Sequence, residues 1–268
     1  MRPNHEGNLR VTGTDFITCI DCLEGLRSIP AGSVDLILTS PPYNFGMEYD
    51  THEDKIDYVQ YFAWLEEVFL ECARVLSDGG RIVVNVQPNF SDYVPTHHRV
   101  SEILRSHGLL FKGEIIWNKN NWNCKVCSFG SWKSASMPYL KYKWEFIEIF
   151  CKGNLKHERR EGHEDDICSD EFMQWTVAMW NVPPEHRMEE FGHPAMMPEE
   201  LAKRCIKLFS FTNDVVLDPF CGTGTTCLVA NRYNRRYIGF DISKQYCETA
   251  VKRIEEQKRN GVQTEFLM

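Results

Sequence analysis

The chain has 268 residues, 43% of them hydrophobic, enough to bury the core of one α/β domain with an insertion or of two small domains. Its net charge of −8 excludes a globally basic nucleic-acid binder, so any nucleic-acid contact must come from a local basic patch. No apolar run approaches the roughly 20 residues that span a bilayer. The polar opening MRPNHEGNLR does not have the form of a secretion signal, and the 11 scattered cysteines are expected to be reduced thiols of a cytoplasmic protein.

In chain order, strand-like apolar runs occur at DFITCI (15–20), SVDLIL (33–38), RIVVNV (81–86), KGEIIW (112–117), WEFIEIF (144–150), DVVLD (214–218) and YIGFD (237–241). Across 58–76, Tyr61, Leu65, Val68, Cys72 and Leu76 recur at helical spacing, with Gly79 and Gly80 as the expected stop. Further helices are predicted at 94–106, 199–211, 225–233 and 244–258. Strands alternating with helices predict an α/β fold with a doubly wound, mainly parallel sheet. The rhythm breaks after residue 118. Within that stretch HERREGHEDDICSDE (157–171) reads as an acidic surface loop, open to disorder and away from any nucleic acid.

Two loops carry chemistry. After the run ending at Leu38 comes TSPPYN (39–44), where two prolines fix φ and remove two backbone donors, giving a stiff loop. After Val215 comes DPFCGTGTT (218–226), a glycine turn opening a helix whose N-terminal N–H groups suit an anion. Asp241 ends the next strand, where a carboxylate can take both hydroxyls of a ribose. A nicotinamide fingerprint is the weaker reading, because Cys227 stands where a third small residue belongs and Asp218-Pro219 precedes the turn. In a parallel sheet both loops fall at the carboxyl edge and face one crevice.

These motifs, with GHPAMMPEELAKRCIKLFS (192–210), resemble the DNA amino-methyltransferases that use S-adenosylmethionine. The order, catalytic motif first and cofactor motif last, resembles their β group. The resemblance implies a permuted, Rossmann-like class I methyltransferase divided into 1–117 (catalytic motif), 118–191 (target recognition) and 192–268 (cofactor motifs). It implies catalysis by Ser40, Pro41, Pro42 and Tyr43. It implies cofactor binding by Asp21, Asp218, Pro219, Phe220, Gly222, Gly224, Thr225, Thr226, Asp241 and Ile242. Asp21 reads equally well as a helix N-cap, and His193 beside Pro194 as a structural histidine. The partners implied are double-stranded DNA, a second copy of the chain and a cognate restriction endonuclease, in a prokaryotic or viral host cell.

The chemistry suits these residue types. An exocyclic amino group is a poor nucleophile because its lone pair is delocalised into the ring. Ser40 Oγ and the Pro41 carbonyl, accepting its two hydrogens, would localise the lone pair toward the sulfonium methyl, with Tyr43 stacked on the flipped base. Cytosine C5 methylation is set aside because no proline precedes a cysteine here. In the family the chain resembles, N4-cytosine enzymes more often carry Ser where Ser40 stands and adenine enzymes Asp or Asn, so the resemblance implies N4 of cytosine over N6 of adenine, although TSPPYN also occurs in adenine enzymes. An RNA methyltransferase or a non-catalytic DNA-binding subunit are the alternatives. Lys119, Lys125, Lys133, Lys141 and Lys143, interleaved with aromatics and free of acidic residues, are the expected DNA contacts. The pairs Cys19/Cys22 and Cys124/Cys127 have zinc-like spacing but lie in different parts of the chain, so no metal is expected.

Overall fold

Every residue of Val34–Thr39 is buried, as a strand covered on both faces must be. The computed structural model describes residues 13–43, 57–88, 94–120 and 130–265. Lys125, Cys124 and Cys127 therefore lie outside the described residues.

The described strands are β1 (Phe16–Cys19), β2 (Val34–Thr39), β3 (Leu76–Val86), β4 (Leu109–Asn118), β5 (Trp144–Lys152), β6 (Met179–Asn181), β7 (Val215–Asp218) and β8 (Arg236–Asp241). They form one sheet in the order β1-β8-β7-β2-β3-β5-β4-β6. Only β5 runs against its neighbours β3 and β4; the remaining pairings are parallel. The helices are α1 (Cys22–Ser28), α2 (Tyr58–Val75), α3 (Thr96–Ser106), α4 (Ser169–Trp175), α5 (Met188–Phe191), α6 (Glu199–Phe209), α7 (Thr225–Arg232) and α8 (Lys244–Glu265). One face of the sheet packs on α1, α2 and α3 through Leu26, Leu65, Phe69 and Leu104. The other packs on α6, α7 and α8 through Leu201, Ile206, Val229 and Ile254. Each such buried side chain contributes about 1.5–3 kcal/mol. The predicted doubly wound, mainly parallel sheet is the observed one.

Two expectations change. Helix α2 stops at Val75, with Leu76 as its C-cap, and Gly79 and Gly80 lie inside β3. There the pairing with β2 jumps from Leu76 to Arg81. Gly79 takes φ +72, and a Cβ on it would stand 2.5 Å from the Lys156 carbonyl, so glycine is needed where another segment crosses.

That segment is the supposed loose acidic loop. His157 and Asp214 are buried. Asp214 accepts from His157 Nε2 (2.8 Å), His163 Nδ1 (2.8 Å), Arg160 (2.9 Å) and the Phe211 amide (2.8 Å). Arg160 also donates to Asp35 (2.5 Å), and Asp166 pairs with the buried Arg235 (2.7 Å). The stretch is thus a fixed strap over the amino edge of the sheet. Asp35, His157 and Asp214 present donor atoms close enough to hold a metal ion, but Arg160 donates to both carboxylates and already supplies the counter-charge. The span 118–191 contributes β5, at the strand predicted for 144–150, together with α4 and β6, and β5 is seated between β3 and β4.

Candidate active site

Both chemical loops follow parallel strands, β2 and β7, which are neighbours in the sheet. Thr39 Oγ1 ties them directly, donating to Asp218 Oδ1 (2.7 Å). Below them opens a cavity of about 580 Å³, within the size range of a small-molecule site. Its walls include Ser40, Pro41, Pro42 and Tyr43 from the first loop. Asp218, Pro219, Phe220, Gly222, Thr225 and Thr226 come from the second, Asp241 and Ile242 from the end of β8, and Asp21 from the start of α1. His193 and Pro194 complete one side.

Gly224 does not line this space. It caps α7 at φ +77, and a Cβ there would stand 2.5 Å from Ala250 Cβ. Its role is to let α7 and α8 approach. Asp21 is the N-cap of α1, accepting from Leu23 and Glu24, so the N-cap reading holds, and it also lines the cavity. The glycine turn is braced from beneath by Arg253, which donates to the Thr223 carbonyl (2.6 Å). Asp241 accepts from the amides of Gly222 (2.9 Å) and Ser243 (2.8 Å), which fixes its orientation. Tyr61 donates to the Pro42 carbonyl (2.8 Å) and holds the proline loop.

The electrostatics are those of an acidic, partly dry pocket. Burial pushes the Asp218 carboxyl up to about 6, against hydrogen bonds from Thr39, Thr226 and the Phe220 amide, and it also raises Asp241. Burial pushes His193 down to about 4, so the imidazole is neutral near pH 7. Its Nδ1 accepts from the Ala195 amide (3.1 Å), which puts the ring proton on Nε2.

The sequence did not single out Asn85, at the end of β3, or Glu145, on β5, yet both line the cavity beside Tyr43. Tyr43 is 7% exposed. Its hydroxyl donates to Glu145 Oε2 (3.1 Å) and accepts from Asn85 Nδ2 (2.8 Å) and Ser40 Oγ (3.0 Å). The signal was present in WEFIEIF: a carboxylate inside an apolar strand needs a partner. That partner is Lys119, whose Nζ pairs with Glu145 Oε1 and lies 4.9 Å from the Trp117 ring. Lys119, expected among the phosphate contacts, is thus engaged within the cavity wall. Lys133, Lys141 and Lys143 sit on the connection between β4 and β5, away from the cavity lining. Exposed Trp132, Met137, Tyr139 and Leu140 share that connection. β4 ends and β5 begins at the carboxyl edge, so the connection leaves and returns on the same side as the cavity.

The DNA methylase family model matches residues 34–252. The chain is 31% identical to the type II methyltransferase M.HinfI of Haemophilus influenzae, over 94% of this chain and 72% of that protein. It is 27% identical to the DNA adenine methyltransferase YhdJ of Escherichia coli, over 88% of this chain and 81% of the relative. Among solved structures, a candidate DNA modification methylase of Thermus thermophilus, complexed with S-adenosyl-L-methionine, superposes with a TM-score of 0.71. That match has 28% identity and covers 90% of this chain and 93% of the other.

Proposed function

The chain belongs to the DNA methylase family, and from that premise we propose that it methylates N4 of cytosine within a specific duplex sequence. It is an S-adenosylmethionine-dependent DNA amino-methyltransferase. The observation that carries the cytosine assignment is Ser40 at the head of the proline loop, bordering the same cavity as Asp218 and Asp241.

In this reading the cofactor's ribose meets Asp241 and its methionine end meets the glycine turn at the start of α7. The cofactor would bring the methyl group on a sulfonium. The chain's residues hold a flipped base with its amino nitrogen in line with that methyl and accept the amino hydrogens at Ser40 Oγ and the Pro41 carbonyl. Tyr43 supports the base plane. Lys133, Lys141 and Lys143, beside the exposed aromatics, contact phosphates from the connection between β4 and β5. N6 of adenine is the second reading, favoured by the Escherichia coli relative named as an adenine enzyme.

The test is to incubate the chain with unmethylated DNA and S-adenosylmethionine, digest to nucleosides and identify the product by mass spectrometry. N4-methylcytosine is the expected result; N6-methyladenine would overturn the base assignment and keep the transfer chemistry. Pairing with a second copy and a cognate restriction endonuclease belong to the same proposal. Sedimentation of the purified chain at twice its monomer mass, and cleavage of its unmethylated target by host extract, are the outcomes expected of them.

The raised Asp218 carboxyl predicts a pH dependence. The cofactor carries positive charge at its sulfonium and ammonium groups, which the ionised form of Asp218 attracts. Below about 6 the acid form dominates, so affinity falls with falling pH. Calorimetry at constant ionic strength is expected to show roughly tenfold weaker cofactor binding at pH 5 than at pH 7.5. Identical affinities would show that Asp218 does not sense the cofactor's charge.

A further inference from the structure

Hydrogen-bond direction around Tyr43 is fixed by what each partner is able to do. The Asn85 amide nitrogen only donates, and it reaches both Tyr43 Oη (2.8 Å) and Glu145 Oε2 (2.6 Å). Turning the amide over would set its oxygen against Glu145, so the nitrogen stays on this side even though Asn85 Oδ1 is left buried without a partner. A carboxylate only accepts, so the single Tyr43 hydroxyl proton points at Glu145 Oε2 (3.1 Å). Tyr43 Oη must then receive from Ser40, and it does, at 3.0 Å. The one proton of Ser40 is committed to Tyr43, which leaves Ser40 Oγ an acceptor toward the cavity that Ser40 lines. Lys119 holds the other oxygen of Glu145, so the carboxylate is oriented from both ends.

We infer that Glu145 is a positioning residue for methyl transfer: through Tyr43 it turns Ser40 into an acceptor for the target amino group and receives the proton that group must lose. This inference rests on the amino-methyltransferase reading of the cavity. The step balances. The amino nitrogen's electron pair forms the new N–C bond, and the S–C bond breaks with its pair going to sulfur, giving a neutral thioether. The nitrogen's surplus proton passes to Ser40 Oγ as Ser40's own proton moves to Tyr43 Oη and Tyr43's proton moves to Glu145 Oε2. The network spans three strand ends and the proline loop, because Ser40 and Tyr43 follow β2, Asn85 is on β3 and Glu145 on β5. A strand pattern alone would call Glu145 a misplaced charge.

The experiment measures single-turnover methyl transfer at saturating cofactor and DNA for the wild-type chain, Glu145→Gln, Tyr43→Phe and the double variant. Melting temperature and cofactor affinity serve as the folding check. Each single variant is expected to lose about 100-fold in the transfer rate with cofactor affinity within twofold of wild type. The double variant is expected to be no slower than the slower single, because both changes cut one chain of hydrogen bonds. Glu145→Asp is expected to recover part of the rate. A folded Glu145→Gln variant that transfers at the wild-type rate, or multiplicative losses in the double variant, overturns the relay alone. A wild-type chain that binds cofactor and methylates no DNA base overturns the function reading and the relay with it.

Discussion

Ser40→Ala is expected to lower the single-turnover rate of base methylation about 100-fold or more while cofactor affinity stays within twofold. The size follows from removing one preorganised acceptor aimed at charge that develops only in the transition state, a change that costs roughly 10² to 10³ in rate. Ser40 contacts Tyr43 (3.0 Å), and the described bonds of the glycine turn, which the proposed function gives to the cofactor, run instead through Thr39, Asp241 and Arg253. The variant therefore separates chemistry from cofactor binding. Rapid-quench transfer with labelled cofactor and calorimetry on the same preparation make the comparison. Full activity in Ser40→Ala would remove the serine from the mechanism and with it the case for cytosine.

Asp214→Ala is expected to cost about 3–5 kcal/mol of stability, the usual penalty for deleting one side of a buried ion pair. For a domain of this size that lowers the melting temperature by about 10 °C. The carboxylate is fully buried. Burial alone would raise its acid range, but donors from His157, the Phe211 amide and Arg160 outweigh burial and hold it below the ordinary aspartate value. A carboxyl depressed in the folded state contributes stability above its unfolded value and loses it as pH falls through the folded one. The wild-type chain is therefore expected to lose this increment below about pH 4, whereas Asp214→Ala lacks it at every pH. Asp214→Asn, which keeps the shape, should cost less, about 1–3 kcal/mol. Thermal melts at pH 7 and at a pH well below 4 read both effects. Unchanged melting in Asp214→Ala would mean that the strap is held by other contacts.

What was readable in the sequence follows distance along the chain. The strands of the parallel core announce themselves as short apolar runs because both their faces are buried, and the glycine turn and the proline pair are local devices with local signatures. Thr39 and Asp218, each placed by its own motif, meet only because β2 and β7 are neighbours. The strap was misjudged because charged composition is the mark of a solvated loop. Its charges are satisfied by Asp35 and Asp214, 125 and 54 residues from Arg160, and no window of sequence shows that. Helix α4 follows within the same polar stretch, and β6 is a strand of three residues, too short for any periodicity. Glu145 lies 102 residues from Tyr43, so its partner became visible only when β5 entered the sheet beside β3. Helix α2 ends at Val75, one residue from the expected Leu76, but the glycines read as its local stop lie in β3, where they admit the strap.

The antiparallel pairing of β4 and β5 has a consequence for how such a protein acquires new targets. Asn118 opposes Trp144 across the two strands, and the Lys119 amide donates to the Lys143 carbonyl (3.0 Å) just beyond them. The connection that the proposed function charges with reading DNA therefore hangs from a hairpin base that is already closed. Lengthening a closed loop costs little, about 0.6 kcal/mol for each doubling. On the proposed function, a foreign segment of different length grafted between Lys119 and Lys143 is expected to change the sequence that is read and to leave Glu145, Tyr43 and Ser40 where they stand. On that reading, specificity is free to drift on a loop while the chemistry is kept by the strands.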